Sequence, residues 1–244
     1  MIKLFGKYCF TSLLILSSVI ILAQKKQGTT FGFQLKPIIP VNYFNAGPQT
    51  LSDSLVEINI NPKTGMSFGV LVRQQITKSI AIESGISSVR RNYDLAAKGL
   101  TLNTSDKSDF GFIGYQIPIQ ALVYIQLSEN IFMNTTAGIG LDMYPSSVES
   151  KGENFLLYNI SYRQHWISYS LLANLGFEYR TEEKGTFYIG ASFNSPFKPI
   201  AESFFYYNYE GSKQSQLKTF LNGNYLTLDL RFFFPENASS KRKS

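Results

Sequence analysis

The sequence predicts an all-β protein, an eight-stranded antiparallel up-and-down transmembrane β-barrel, and three observations carry that expectation. Apolar and polar residues alternate with a period of two over long stretches, as half-buried strands do and helices do not. The polar side of that alternation avoids lysine. Short turns take turns with long connecting segments, the asymmetry of barrels that cross an outer membrane.

Lys3 and Lys7 precede an apolar run over residues 13–22 that ends at Ala23 and Gln24, the layout of a cleavable export signal. That run is too short to span a bilayer as a helix, which takes about 20 residues. Residues 1–23 are therefore expected to leave as a signal peptide, residues 24–234 to form the barrel, and residues 235–244 to form a basic tail carrying Lys241, Arg242 and Lys243. Cys9 precedes the apolar run instead of following it, so the spacing of a lipid-anchored cysteine is absent. The rest of the chain has no cysteine and a single histidine, which excludes disulfides, thiolate metal sites and His-rich metal sites, and no cofactor is expected. Without Lys3 and Lys7, 21 of the 23 basic residues face 17 acidic ones, and a net charge of +4 is too mild to point to nucleic acid.

The first strand, residues 29–36, places Phe31, Phe33 and Leu35 on one face and Gly32, Gln34 and Lys36 on the other. A hairpin follows over residues 67–76 and 80–93 around Thr77-Lys78-Ser79, with Phe68, Val70, Val72, Ile80, Ile82 and Ile86 on its apolar side. The alternation is clearest over residues 115–127, where Tyr115, Ile117, Ile119, Val123 and Ile125 oppose Gln116, Gln120, Tyr124 and Gln126. It resumes over residues 131–142 after the turn Ser128-Glu129-Asn130. A third hairpin spans residues 164–180 and 186–197 around Glu182-Glu183-Lys184. The last strand, residues 224–234, sets Leu226, Leu228, Leu230, Phe232 and Phe234 against Thr227, Asp229 and Arg231.

Folding each hairpin symmetrically about its turn pairs Ile125 with Met133, Phe177 with Ile189, Val70 with Ile86, and Arg73 with Glu83. Like faces then meet like faces, as cross-strand pairing requires, with Val72 opposite Ser84 as the one mismatch.

Alternation alone does not say which face is inside. The polar face decides: it is built from Gly, Ser, Thr, Gln and Asn with a few Arg, Glu and Asp, while nearly every lysine falls in a turn, a loop or the tail. A wall facing water would use lysine freely, so this face is expected to line a crowded lumen. Four long segments, residues 39–64, 94–110, 145–163 and 198–223, are expected as external loops. Tyr93, Tyr115, Tyr144, Trp166, Tyr179, Phe187 and Phe197 fall near strand ends, where aromatic rings sit at lipid headgroups.

Arg73 and Glu83 are expected to face each other in the lumen, with Asp142, Glu178, Asp229 and Arg231 on the same inward face of other strands. An eight-stranded barrel is just wide enough for side chains to fill, so these groups predict a salt-bridged plug, with a proton or ion path as the other reading. His165 is the one residue that could serve as a histidine general base, but alternation places it with Ile167, Tyr169 and Leu171 at the outer rim beside Trp166. No catalytic residue is assigned. The cluster Phe204, Phe205, Tyr206, Tyr207 and Tyr209 in the last long segment is either an exposed surface for a partner, a glycan or another barrel, or a hairpin that continues the last two strands or packs over the mouth.

The stretch Tyr115-Gln116-Ile117-Pro118-Ile119, leading through Tyr124 to Ala137-Gly138-Ile139-Gly140, resembles the small outer-membrane β-barrels of Bacteroidetes known as PorT-like. Leu175-Gly176-Phe177-Glu178-Tyr179 and Leu228-Asp229-Leu230-Arg231-Phe232 resemble that family's later strands. The resemblance implies a barrel in the bacterial outer membrane, and one branch of the family is associated with protein secretion and gliding. Pro235 and the residues after it follow the last strand, so a terminal aromatic assembly signal is internal here. The expected function is a non-enzymatic interaction or assembly component acting through its external loops, in contact with membrane lipid and other envelope proteins. A narrow transport or ligand-binding barrel stands second, and an outer-membrane enzyme third.

Overall fold

The computed structural model describes residues 28–101, 104–181, 183–209 and 213–235. The expected signal peptide, Glu182 of the third turn and residues 236–244 of the basic tail lie outside the described residues.

The strands in chain order are β1 (Thr29–Ile39), β2 (Gln49–Ser52), β3 (Val56–Gln75), β4 (Ile80–Gly99), β5 (Ser105–Gln126), β6 (Ile131–Met143), β7 (Val148–Lys151), β8 (Leu157–Arg163), β9 (Ile167–Thr181), β10 (Gly185–Pro196), β11 (Ala201–Tyr209), β12 (Lys213–Leu221) and β13 (Tyr225–Phe233). Eight of them, β1, β3, β4, β5, β6, β9, β10 and β13, pair antiparallel in that order, and β1 closes the ring by pairing with both β3 and β13. The chain visits the ring in sequence order, so the barrel is up-and-down and has no free edge to template aggregation. The hairpin registers match the symmetric folding of the sequence: Val70 with Ile86, Arg73 with Glu83, Ile125 with Met133 and Phe177 with Ile189.

The lower barrel is apolar outside and polar inside. Phe33, Phe68, Ile82, Ile119, Ile139, Leu175, Ile189 and Leu230 are exposed on its outer wall, while Gln34, Arg73, Glu83, Gln120, Asn134, Glu178 and Asp229 are buried within it. This is the outward-apolar band of a barrel in lipid. Near the turns, Phe33, Phe187, Phe232 and Phe234 form a chain of ring contacts, with Phe33 and Phe234 5.5 Å apart and Phe232 and Phe234 5.4 Å apart. Ile119 lies midway along the apolar run of β5 and is 63% exposed. Ile119→Arg should therefore cost about 2–4 kcal/mol of barrel stability, read from urea unfolding in liposomes. Lys107 and Asp109, on the same side of the same strand, already stand outside the hydrocarbon.

The four long segments, expected as loops, are mostly strand among the described residues. β3, β4 and β5 run for 20, 20 and 22 residues, about twice the ~9–11 that a tilted strand needs to cross a bilayer. Their surplus residues, with β2 on the edge, form a sheet beyond the membrane. A second sheet in the order β12-β11-β8-β7 packs against it. The apolar core between the two holds Val56, Ile58, Ile60, Leu95, Phe110, Phe112, Tyr144, Leu157, Phe205, Tyr207 and Leu221. The barrel thus continues into a two-layered β-sandwich.

The polarity of the strands inverts at the junction. On β4 the inward residues change from Glu83 and Ser87 to Tyr93, Leu95 and Ala97, while the outward ones change from Ile82 and Ile86 to Asn92, Asp94 and Lys98. On β5, inward Gln120 and Gln116 give way to Phe112 and Phe110, and outward Ile119 and Ile113 to Asp109 and Lys107. A single strand is amphipathic in opposite senses because its outer side meets hydrocarbon below and water above. A bulge between Lys63 and Met66 inserts one extra residue into β3 against β4. That residue switches the inward parity, so that Ile58 and Ile60 above and Ser67 and Arg73 below all point inside. Tyr93 and Tyr144, expected at the headgroups, are buried in the sandwich core instead, whereas Tyr115, Trp166, Tyr179, Phe187 and Phe197 are exposed.

Candidate functional site

The lumen is filled in layers set by strand register. Nearest the turns, Arg73 lies over the Phe233 ring at 3.7 Å, and Arg180 over Tyr124 and Phe132 at 4.3 and 4.1 Å. Above them runs a continuous ion network. Glu83, which is 0% exposed, accepts from Arg73 Nε and Nη2 at 3.0 and 2.8 Å through Oε2 and from Arg231 Nη1 at 2.8 Å through Oε1. Glu178 takes Arg73 Nη1 at 2.7 Å, Arg180 Nη2 at 2.8 Å and Asn134 Nδ2 at 2.8 Å. Asp229 takes Arg231 Nη2 at 2.7 Å, Lys36 Nζ at 3.2 Å and Asn174 Nδ2 at 3.1 Å, with Ser192 and Thr227 hydroxyls donating at 2.5 Å each. Charges taken out of water this way need both ion partners and hydrogen bonds, and these have both.

Glycine makes room for the layer. A Cβ on Gly176 or on its cross-strand partner Gly190 would stand 2.3 or 2.1 Å from the Tyr188 hydroxyl, so the ring lies across two residues that must lack side chains. Tyr188 in turn donates to Asn174 Oδ1 at 2.7 Å and carries Arg231 over its face at 4.7 Å.

Asp142 is inward and buried but stands apart from the arginine cluster. Its Oδ1 accepts from Gln116 Nε2 at 2.7 Å, one layer higher, among Ser170, Asn194 and the Gln34–Ser87 hydrogen bond. The cavity at this level is about 20 Å³, lined by Gln34, Gln116, Gln120 and Asn194. That is room for about one water molecule. Higher still, Arg91 donates to the Tyr144 hydroxyl at 3.2 Å and lies 4.7 Å over Tyr225, beside Ile38 and Val89. The apolar sandwich core then covers the mouth.

Of the residues expected in the lumen, Arg73, Glu83, Glu178, Asp229 and Arg231 come together, and Asp142 joins a separate amide layer. Lys36, Arg180, Asn134, Asn174 and Tyr188 complete the network; alternation had put Lys36 on the polar face of the first strand, but none of the five was among the charged groups expected in the lumen. Parity was the available signal, since Lys36 follows Gln34, and Arg180 follows Glu178, on the inward side.

The aromatic cluster divides by the same parity. Phe205 and Tyr207 are 0% exposed and belong to the core, so they offer no binding surface. Phe204 and Tyr206 lie on the outer face of the second sheet, in ring contact with Tyr162 and Tyr158 at 6.0 and 6.2 Å. The side chain of Tyr209 is outside the description. His165 sits exposed at the bend between β8 and β9.

Side chains close the sandwich at both seams. At one, Gln49 Nε2 donates to the Phe220 carbonyl at 3.3 Å and Thr219 Oγ1 to Gln49 Oε1 at 3.0 Å. Asp53 lies at the same seam. Burial pushes its carboxyl up, but hydrogen bonds from Ser215 and from the Leu55 and Val56 amides outweigh that and hold it below the usual carboxylate range. At the other seam, buried Asp106 on β5 accepts four backbone amides, from Lys107 at 2.8 Å, Asn154 at 2.9 Å, Leu156 at 2.8 Å and Leu157 at 2.9 Å. Gly152 is required there, because a Cβ would stand 2.0 Å from Asp106 Oδ2.

A closed ring with an apolar wall, a polar filled lumen and a cap in water is an outer-membrane β-barrel, and the protein lies in that membrane. The comparisons then give the family. A family model described as "Outer membrane protein beta-barrel domain" matches residues 23–202, and the chain belongs to that family. Among solved structures it is similar to the outer membrane protein OprG from Pseudomonas aeruginosa, at 11% identity and a TM-score of 0.49, covering 86% of this chain and 97% of that one. It is similar also to the translocator domain of the autotransporter NalP from Neisseria meningitidis, at 9% identity and a TM-score of 0.20, covering 95% and 96%. No curated protein matches the chain.

Proposed function

We propose that the protein is a non-enzymatic interaction component of the cell envelope: a plugged barrel that anchors a rigid β-sandwich outside the membrane and presents it to partners. The observation that carries this reading is the occluded lumen, where the Arg73–Glu83–Arg231–Asp229 network fills the bore and the apolar core of the sandwich seals it above. A conducting pore would need a continuous wet path, and charges paired this closely line none. The outer wall also carries an apolar groove of about 660 Å³ lined by Phe33, Leu35, Phe177, Phe187, Leu230 and Phe232, which suits a lipid acyl chain and supports membrane lipid as a partner. The finer affiliation we favour is the PorT-like branch, on the likeness of Tyr115–Ile119 and Leu228–Phe232 already described, with a secretion-related assembly role.

Planar-bilayer recording of the purified protein should show no steady unit current. Sustained open-channel conductance would overturn the plugged reading and favour the narrow transport barrel.

A further inference from the structure

The outermost end of the second sheet carries a pocket of about 350 Å³ lined by Lys151, Phe155, Leu157, Tyr158, Tyr206 and Asn208. We propose that this pocket binds an extracellular saccharide, with a preference for sugar units that bear an acidic group. The inference rests on the reading of the sandwich as a presented surface, and it names the ligand class for that surface.

Four observations support a sugar. Tyr158 and Tyr206 are cross-strand partners whose rings lie 6.2 Å apart and tilted by 34°, side by side as a shallow platform. Phe155 extends it: 78% exposed, it adopts a φ of 59°, a left-handed conformation that a bulky residue takes only when its surroundings enforce it. The enforcing groups are on hand, since Asp106 binds the amides on both sides of Phe155 and the Phe155 amide bonds the Gly152 carbonyl at 3.1 Å. The fold thus spends rigid hydrogen bonding on holding an aromatic ring out in water.

The rim is polar. Tyr158 donates to Glu149 Oε2 at 2.9 Å, Gln216 Nε2 donates to the Tyr206 hydroxyl at 3.4 Å, and the amide of Asn208 lies at the edge. Lys151 Nζ stands 5.8 Å from the Tyr158 ring centroid, the one cation in the pocket lining. A flat apolar platform with hydroxyl, amide and carboxylate groups around it matches a pyranose, which has an apolar C–H face and a hydroxyl edge. Lys151 adds the preference for a carboxylate or sulfate.

The alternative occupant, an extended peptide, lacks its usual foothold. β8 is flanked by β7 and β11, and β11 by β8 and β12, so the platform offers no open strand edge for strand addition. Recognition there has to run through side chains.

The test uses the full-length protein in detergent. Matched galactose and galacturonic acid trisaccharides, with sulfated and neutral oligosaccharides beside them, are titrated by calorimetry or saturation-transfer NMR. An acidic oligosaccharide should bind more tightly than its neutral counterpart and lose that advantage as salt rises. Tyr206→Ala and Phe155→Ala should each weaken binding about tenfold, the scale of a lost aromatic anchor. Lys151→Ala should leave the neutral sugar unaffected and bring the acidic one down to its level. Protease resistance of the sandwich checks that each variant is folded. Binding unchanged in folded Tyr206→Ala, or no binding across the series at millimolar concentration, would overturn the proposal. Loss of a protein partner by the same variants without any sugar binding would overturn it in favour of a peptide ligand. A negative result here leaves the bilayer recording, and the reading it tests, standing.

Discussion

Glu83→Ala should cost the barrel about 3–5 kcal/mol, because it removes the carboxylate that joins two buried guanidiniums and leaves both short of charge. Glu83 binds Arg73 through one oxygen and Arg231 through the other. The network as built sets four cations, Lys36, Arg73, Arg180 and Arg231, against three carboxylates, Glu83, Glu178 and Asp229. Taking one carboxylate leaves four against two, beside a lumen cavity with room for about one water. Urea unfolding followed through Trp166, the single tryptophan, reads the loss directly. The double change Arg73→Met with Glu83→Met should recover most of it, since an apolar pair removes the stranded charge together with its partner. A loss under about 1 kcal/mol for Glu83→Ala, the size of an exposed pair, would mean that the lumen is wet enough to screen these charges. That result would weaken the plugged-barrel reading as well.

The second large effect is expected outside the membrane. Phe205→Ala deletes a fully buried ring from the sandwich core and should cost about 3–5 kcal/mol there, while the barrel keeps its fold. The barrel is held by its own closed ladder, and the core containing Phe205 shares no residue with the ion network. Limited proteolysis of intact cells should then cut residues 198–223 while the barrel retains the heat-dependent gel mobility of a folded species. Phe204→Ala, one residue earlier and on the outer face, should leave protease resistance near that of the unaltered protein. Simultaneous loss of barrel and sandwich in Phe205→Ala would show a single cooperative unit instead.

The contrast between these neighbours marks how far the sequence could be read. The eight ring strands, their registers and the arginine–carboxylate lumen follow from period-two alternation, because in lipid one face of every strand has to be apolar along its whole crossing. The same rule hides the sandwich. At Tyr93 the apolar set on β4 jumps from even to odd positions, and after Phe112 the set on β5 does the same, so a search for one phase stops where the strand merely changes solvent. On β3 the bulge at Lys63–Met66 offsets the inversion, so Ile58 and Ile60, which face inward, keep the same sequence phase as Phe68 and Val70, which face outward. Residues 94–110 and 198–223 therefore resemble loops although most of their described residues belong to β4, β5, β11 and β12. The segment from Phe204 to Tyr207 stayed open between an exposed surface and a packed hairpin because its alternation is aromatic on both faces. Asp106 gave no signal, since three of its four amide partners, Asn154, Leu156 and Leu157, lie some 50 residues away across a seam that no local pattern encodes.

β3, β4 and β5 pass from hydrocarbon into water as unbroken ribbons, so nothing at the surface works as a swivel. Their surplus of roughly ten residues lifts the far end of the sandwich on the order of 30 Å above the headgroups, less whatever the strand tilt subtracts. Any molecule that engages it must arrive at one height and one angle, as at a fixed mast. A lipopolysaccharide layer taller than that would screen the tip from bulky visitors and admit only slender chains.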